Sequence, residues 1–284
     1  MLVGTIVNAL SYGMLLFLLS SGFSLVYGVM GILNLAHGTL FMVGAFLGLL
    51  SRPLVGGNWY AALIIGAVSA GVLGLIWERG FLARLHGMFP EQVLTTLGFI
   101  YIFGNLTLWL NGPYGIIGTP PEIAAGFTAI AGVRISNYRF LLIVVGILAA
   151  IGLYFFQERT RYGAIIRAGL SDKTMAIALG VNYHRVSTMV FVLGAVTAGL
   201  AGFLGSPIMG ASHDMAFDIL LLAAAVMVIG GQGYVEGTII GALVVGLVDS
   251  FGKVYFPEYS SFVIYIAMIA ILVFRPMGLL GRTR

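Results

Sequence analysis

Long apolar stretches, each bounded by a few charged or turn-forming residues, run the length of the chain. A membrane-crossing helix needs about 20 mostly apolar residues at 1.5 Å rise each, so the intervals between charges locate the candidates. No charge precedes Arg52, and that stretch divides at Tyr27–Asn34 into two segments, Val3–Val26 and Leu35–Leu50. Later intervals predict helices over Trp59–Trp77, Gln92–Leu110, Phe140–Phe156 and Ser187–Leu204. Three more, Phe217–Gly230, Gly237–Phe251 and Ser261–Phe274, are short or interrupted by glycine. The pattern predicts an all-α, polytopic transmembrane helix bundle of about eight or nine segments, forming one domain over residues 1–284.

Composition narrows the class. The chain is 60% hydrophobic and only 8% charged, against about 25% charged residues in an ordinary soluble domain. Such a surface cannot be wetted, which excludes a soluble enzyme, a disordered chain and a coiled coil. The absence of cysteine removes disulfides and thiol chemistry. A net charge of +4 would suggest nucleic acid in a soluble protein. Here the basic residues sit between apolar runs, where orientation in the lipid bilayer accounts for them and no nucleic acid is expected. Arg159, Arg161, Arg167, Lys173 and Arg185 crowd one loop, Arg79 and Arg84 another, and Arg275, Arg282 and Arg284 the C-terminal tail. These fall on one side if the segments alternate, and that side is expected to be cytoplasmic. Nine segments place the N-terminus outside, eight inside. Met1–Leu10 lacks a basic region and a cleavage site, so it reads as mature chain.

Two stretches carry candidate function. In Tyr27–Gly38, two glycines with Asn34 and His37 interrupt an apolar region. A broken helix in lipid is tolerable only where protein or a water-filled cavity satisfies its backbone. The stretch is therefore either a pathway-lining or gating element, or a tight turn in which Asn34 caps the next helix. The second stretch is the basic loop, about 158–186. Ser171 is expected to cap a short helix running through Ala178, and Gly180 to end it in left-handed geometry. Met175, Ala178 and Leu179 would share one face. That apolar stripe would either dock a soluble partner or lie on anionic headgroups.

Small residues at helical spacing (Gly44 with Gly48, Gly237 with Gly241, and Ala195, Ala198, Gly199 and Gly202) read as helix-packing positions. His37-Gly38-Thr39-Leu40 and Glu236-Gly237-Thr238-Ile239 each open a small-residue helix and hint at an internal repeat. Asp249 stands inside an apolar run with no basic partner expected at span depth, whereas Glu78 and Asp218 lie close enough to predicted ends to reach water. An ion-coupled transporter usually shows several intramembrane ionisable groups. Gly246–Lys253 fails as a phosphate loop because five residues, not four, separate Gly246 from Gly252, and Val254 replaces the magnesium-binding hydroxyl. No catalytic or metal-ligand constellation is present in the sequence.

The stretch Phe23–Gly38, continued by Met42-Val43-Gly44-Ala45-Phe46, closely resembles the N-terminal signature of the permease subunits of bacterial branched-chain amino acid ABC importers, the LIV type, in their H-type branch. Thr160-Arg161-Tyr162-Gly163 through Arg167-Ala168, Ala176 and Leu179–Asn182 is similar to that family's cytoplasmic coupling loop. Gly230-Gly231-Gln232-Gly233 with Gly237 and Gly241-Ala242, and the ending Phe274–Gly281, resemble its C-terminal patterns. Thr39 departs from the acidic residue many relatives carry after His-Gly.

The resemblance implies a multi-pass protein of the bacterial inner membrane. It implies a heterodimer with an M-type permease subunit, two cytoplasmic ATP-binding subunits, and a periplasmic or extracellular substrate-binding protein. It assigns no cofactor to this chain, since ATP would be bound by the partners. Met175, Ala178, Leu179 and Gly180 become the ATPase-coupling element with Arg167 as a charged anchor. Asn34, His37 and Asp249 become pathway or gate candidates. Leucine, isoleucine and valine are the default substrates, with urea or short-chain amides as the alternative within the family and an ion-coupled secondary transporter as the alternative from another class.

Overall fold

The protein was analysed as a computed structural model, which describes residues 2–31, 34–85, 87–130 and 132–280. Apolar sequence becomes helix almost throughout: α1 (Leu2–Met30), α2 (His37–Ser51), α3 (Trp59–Gly80), α4 (Phe89–Asn111), α5 (Asn137–Arg159), α6 (Arg161–Ser171), α7 (Lys173–Ala178), α8 (Tyr183–Met209), α9 (Met215–Gly230), α10 (Val235–Tyr255) and α11 (Ser260–Phe274). Between α4 and α5 lies a two-stranded antiparallel hairpin, β1 (Phe127–Ile130) and β2 (Val133–Ser136), with Phe127 opposite Ser136.

Among the described residues, six helices are long and apolar enough to cross a membrane: α1, α3, α4, α5, α8 and α10. The other three expected segments form shorter apolar helices of 10–17 residues, so length and composition support six spans and do not establish the eight or nine segments expected. The reason is physical in α2. Its 15 residues reach only about 22 Å, but most of them are buried, so protein, not lipid, satisfies its ends. In α9, too, most residues are buried. The chain after α11 folds back onto α9, where the Leu279 and Leu280 N–H groups donate to the otherwise free carbonyls of Ile229 (2.8 Å) and Gly230 (3.2 Å).

α1 is the central helix, packed along α10, α8 and α5, and α8 carries α2 and α3 on its other side. Close approach depends on glycine. Gly22 of α1 lies against Gly194 of α8, Gly44 of α2 against Gly199, Gly202 against the Phe41 backbone, and Gly13 of α1 against Ala242 of α10. The small-residue positions singled out in the sequence are thus helix contacts, as expected for membrane bundles.

A long–short–long order recurs in α1–α2–α3 and α8–α9–α10, with lengths of 29, 15 and 22 against 27, 16 and 21 residues. α1 packs on α10 as α8 packs on α3, and α2 meets α9. The repeat hinted at by the His37 and Glu236 tetrapeptides is therefore misplaced, because those open α2 and α10, whose counterparts are α9 and α3.

Antiparallel packing places the C-terminal ends of α1, α3 and α5, the loop 158–186 and the C-terminal segment on one side. The opposite side carries the start of α1 and residues 112–130 and 132–136, where Arg52 bonds Thr119 and Ile116 pairs with Ala211.

A Cβ on Gly202 would collide with the Phe41 carbonyl, whereas one on Gly98 of α4 meets nothing within 4 Å. Gly202→Ala is therefore expected to cost about 1–3 kcal/mol through overpacking, and Gly98→Ala to leave stability unchanged or slightly raised. Thermal unfolding of the purified protein in mild detergent checks both.

Candidate functional site

The break between α1 and α2 is deeper than an inter-span turn. α1 continues past the predicted Val26 to Met30 and ends at Gly31, whose φ is +68°. Ile32 and Leu33, part of the Gly28–His37 stretch flagged in the sequence, lie outside the described residues. The chain then returns to the interior. His37 Nε2–H donates to the Leu19 carbonyl at 3.0 Å, about 16 Å up α1 from Met30 at 1.5 Å per residue, and the His37 ring packs on Phe23 at 5.4 Å. At Gly38, α2 touches the Ala216 carbonyl in the first turn of α9. Two helix N-termini thus meet inside the bundle.

Asn34 does not cap α2 with its side chain. Ala36 occupies the cap position without a side-chain bond, and Asn34 contributes only its carbonyl, which accepts from His37 N at 3.1 Å. Both amide atoms of Asn34, His37 Nδ1, Thr39 Oγ1 and Ser20 Oγ are buried without a hydrogen-bond partner among the described residues. Each such group costs about 1–3 kcal/mol. They are concentrated around one fully buried helix start, which a finished apolar core would not show.

The basic loop contains two helices. Thr160 caps α6, its hydroxyl accepting from Gly163 N at 3.0 Å. The cap of α7 is Asp172, which accepts from Met175 N at 2.9 Å. The expected cap, Ser171, is instead the last residue of α6, because a carboxylate one residue later is better placed to reach the N3 amide. Gly180 has the expected left-handed φ of +87°. Met175 and Leu179 are 57% and 78% exposed, Ala178 is exposed and Ala176 is buried, so the apolar stripe of α7 faces outward. Arg167 turns inward, with Nη1 3.4 Å from Glu158 Oε1 and both side chains about a third exposed, a pair worth little in stability.

Two expectations about buried charge are corrected. Asp249 has a basic partner: Lys253, one turn on, contacts its Oδ2 at 2.7 Å and lies over the Tyr12 ring. α10 extends four residues beyond the predicted Phe251, which brings Lys253 onto the same helix face. Glu78 does not reach water. It is fully buried and accepts from Thr188 Oγ1 at 2.7 Å across the α3–α8 contact. Asp218 is exposed, as expected. Asp214, immediately before α9, is held below the usual carboxylate range, mainly by a hydrogen bond from Ser212.

Sequence reasoning missed Gln157 and Ser24. Gln157 is 1% exposed; its Nε2–H donates to Gly233 O at 2.9 Å and its Oε1 accepts from Val235 N at 3.1 Å. Ser24 accepts from Gly233 N at 2.9 Å. The only available signal was an amide at the boundary between an apolar run and a charged pair.

Comparison with known sequences gives these features a context. A family described as the permease component of the branched-chain amino acid transport system matches residues 5–272. The chain belongs to this family. Among its relatives, the permease protein BraD of the high-affinity branched-chain amino acid transport system of Pseudomonas aeruginosa is 30% identical, covering 98% of this chain and 95% of its own length. LivH of Escherichia coli is 27% identical over 97% and 94%, and LivM of the same organism is 26% identical over 95% and 69%. No solved structure matches the chain. Membership in a permease family makes the chain a multi-pass membrane transport component. For such a component the two features above, a polar break inside the bundle and an apolar helix on a basic loop, are the places to seek function.

Because Asp172 and not Ser171 holds the start of α7, Asp172→Ala should cost that helix about 1 kcal/mol. Amide exchange over residues 174–178 should then speed up about fivefold, with Ser171→Ala leaving it unchanged.

Proposed function

We propose that this chain is one permease subunit of a binding-protein-dependent ABC importer for branched-chain amino acids in the bacterial inner membrane. It forms the translocation route with an M-type partner. The exposed stripe of α7 carries this reading: Met175, Ala178 and Leu179 project from a basic loop, in a chain whose sequence has no phosphate loop of its own. Two cytoplasmic ATPases would receive these side chains, with Gly180 ending the helix and Arg167 bracing α6 behind it. A periplasmic or extracellular binding protein would deliver substrate to the opposite side.

In this reading the six long helices and the short α2, α9 and α11 make nine membrane segments, with the N-terminus outside. The lipid-facing positions on α4, α5 and α11 then carry the large exposed apolar residues, such as Ile102, Leu148 and Ile266. Asn34 and His37 line the route where α2 and α9 meet. Substrate choice among leucine, isoleucine and valine rests on the names of relatives that the chain matches over nearly its full length.

The deciding experiment purifies the tagged chain from its host in mild detergent, identifies the accompanying subunits by mass, and assays ATP-driven leucine uptake after reconstitution. A second hydrophobic subunit with soluble ATPases and ATP-dependent uptake is expected. Uptake by the chain alone, driven by an ion gradient, would overturn the importer reading.

Two substitutions follow. Ala178→Asp and Leu179→Asp should each cut uptake more than tenfold while membrane insertion is retained, because a charge desolvated in an apolar contact costs more than the contact returns. Asp249→Asn should leave uptake within about fivefold, since a carboxylate already closed onto Lys253 near the end of α10 contributes no more than about 1 kcal/mol.

A further inference from the structure

α6 and α7 are joined through a single residue. Asp172 N donates to Ala168 O to close α6, while the Asp172 side chain opens α7, so a force on the α7 surface is passed into α6. At its other end α6 rides on the last turn of α5: Gly163 lies directly against the carbonyls of Phe156 and Gln157. Near its C-terminal end, Leu170 enters a notch between two glycines. A Cβ on Gly28 of α1 would come within 2.7 Å of Leu170 Cδ2, and one on Gly233 within 2.8 Å. Gly28 and Gly233 are themselves in backbone contact. Gly233 also needs a φ of +85°, which disfavours any residue with a side chain.

Gln157 closes the circuit. Its amide holds both Gly233 O and Val235 N, while Ser24 of α1 holds Gly233 N. The junction between α9 and α10 is therefore tied to α5 by Gln157, to α1 by Ser24, and to α6 by Leu170. Gln157 is buried, beneath a pocket of about 480 Å³ whose lining includes Tyr154, Glu158, Arg167, Tyr234 and Glu236. That space beside the α6 anchor gives the helix room to shift.

We infer that Gln157 and Leu170 are the positioning residues that convert movement of the coupling loop into movement of α1 and of the α9–α10 junction. The inference rests on the importer reading above, since it needs ATPases pulling on α7. Leu170 transmits displacement by packing, and Gln157 makes the junction follow as one body through two hydrogen bonds. Movement of α1 carries the α1–α2 break with it. Movement of α9 carries the helix whose first turn abuts Gly38. Both sides of the polar route are thus addressed from one cytoplasmic point.

The test uses the complete reconstituted complex and reads ATP hydrolysis and substrate uptake in the same preparation. Leu170→Ala empties the notch and Gln157→Leu removes both hydrogen bonds at similar bulk. Each is expected to lower uptake per ATP hydrolysed at least tenfold, with subunit stoichiometry unchanged and hydrolysis kept within about twofold. Leu170→Met, which conserves volume, should restore the ratio. Because Gln157→Leu leaves buried backbone groups unpaired and can fail to assemble, Leu170→Ala with its Met control decides the matter alone. A parallel fall in uptake and hydrolysis, or an unchanged ratio, would overturn the inference while leaving the importer reading in place. Absence of ATP-driven uptake in the unmutated complex would overturn both.

Discussion

Helices in lipid gain little from burying apolar side chains against one another, because lipid tails are equally apolar. Close backbone contact has to supply the cohesion, and in this protein α8 supplies a large share of it. Gly194 meets Gly22 of α1, Gly199 meets Gly44 of α2, and Gly202 meets the backbone at Phe41. With α1 and α2 both drawn onto α8, α2 is sunk into protein at both ends. The broken α1–α2 junction, the meeting of α2 with α9 and the position of His37 beside Leu19 all follow from that placement.

Backbone freed by a break must be re-paired inside the protein when no water reaches it. The two breaks solve this differently. Between α9 and α10 the exposed groups are taken up by Ser24 and Gln157, leaving a closed and rigid junction. Between α1 and α2, the Asn34 amide, His37 Nδ1 and Thr39 Oγ1 have no hydrogen-bond partner among the described residues. One junction has spent its polar capacity on structure, and the other retains it. The proposed route needs the second kind, and the proposed lever needs the first.

The fold was largely legible because hydropathy and span length are set by the bilayer, and all nine predicted apolar segments form helix. Length was less legible. Val26 gave way to Met30 and Phe251 to Tyr255, since glycine, tyrosine or lysine near a helix end is polar punctuation in sequence but can be accommodated at the interface. The Lys253 error followed directly, because a span ended too early hides an i, i+4 partner. In the candidate site, α7 could be read from its cap, its stripe and Gly180. The cap was displaced from Ser171 to Asp172 because α6 runs through Ser171, and Asp172 both closes α6 and opens α7. Gln157 was invisible for a different reason: its partners are backbone atoms of residues 233 and 235, which no side-chain pattern reports.

The charges within the bundle bear on how it can be driven. A relay for ions or protons needs ionisable groups that face one another or a shared cavity. Asp249 is closed onto Lys253 near one end of α10, and Glu78 onto Thr188 where α3 crosses α8. The Asp249 contact belongs to the α1–α10 side and the Glu78 contact to the α3–α8 side, toward opposite ends of the bundle. Neither lies on the α1–α2 break. The polar groups described there are an amide, hydroxyls and a single imidazole, His37, with no second ionisable group hydrogen-bonded to it among the described residues. This arrangement agrees with the proposal that free energy for directed movement enters mechanically. The route on which packing and hydrogen bonds are continuous from the surface to both breaks begins at α7 and passes through Leu170.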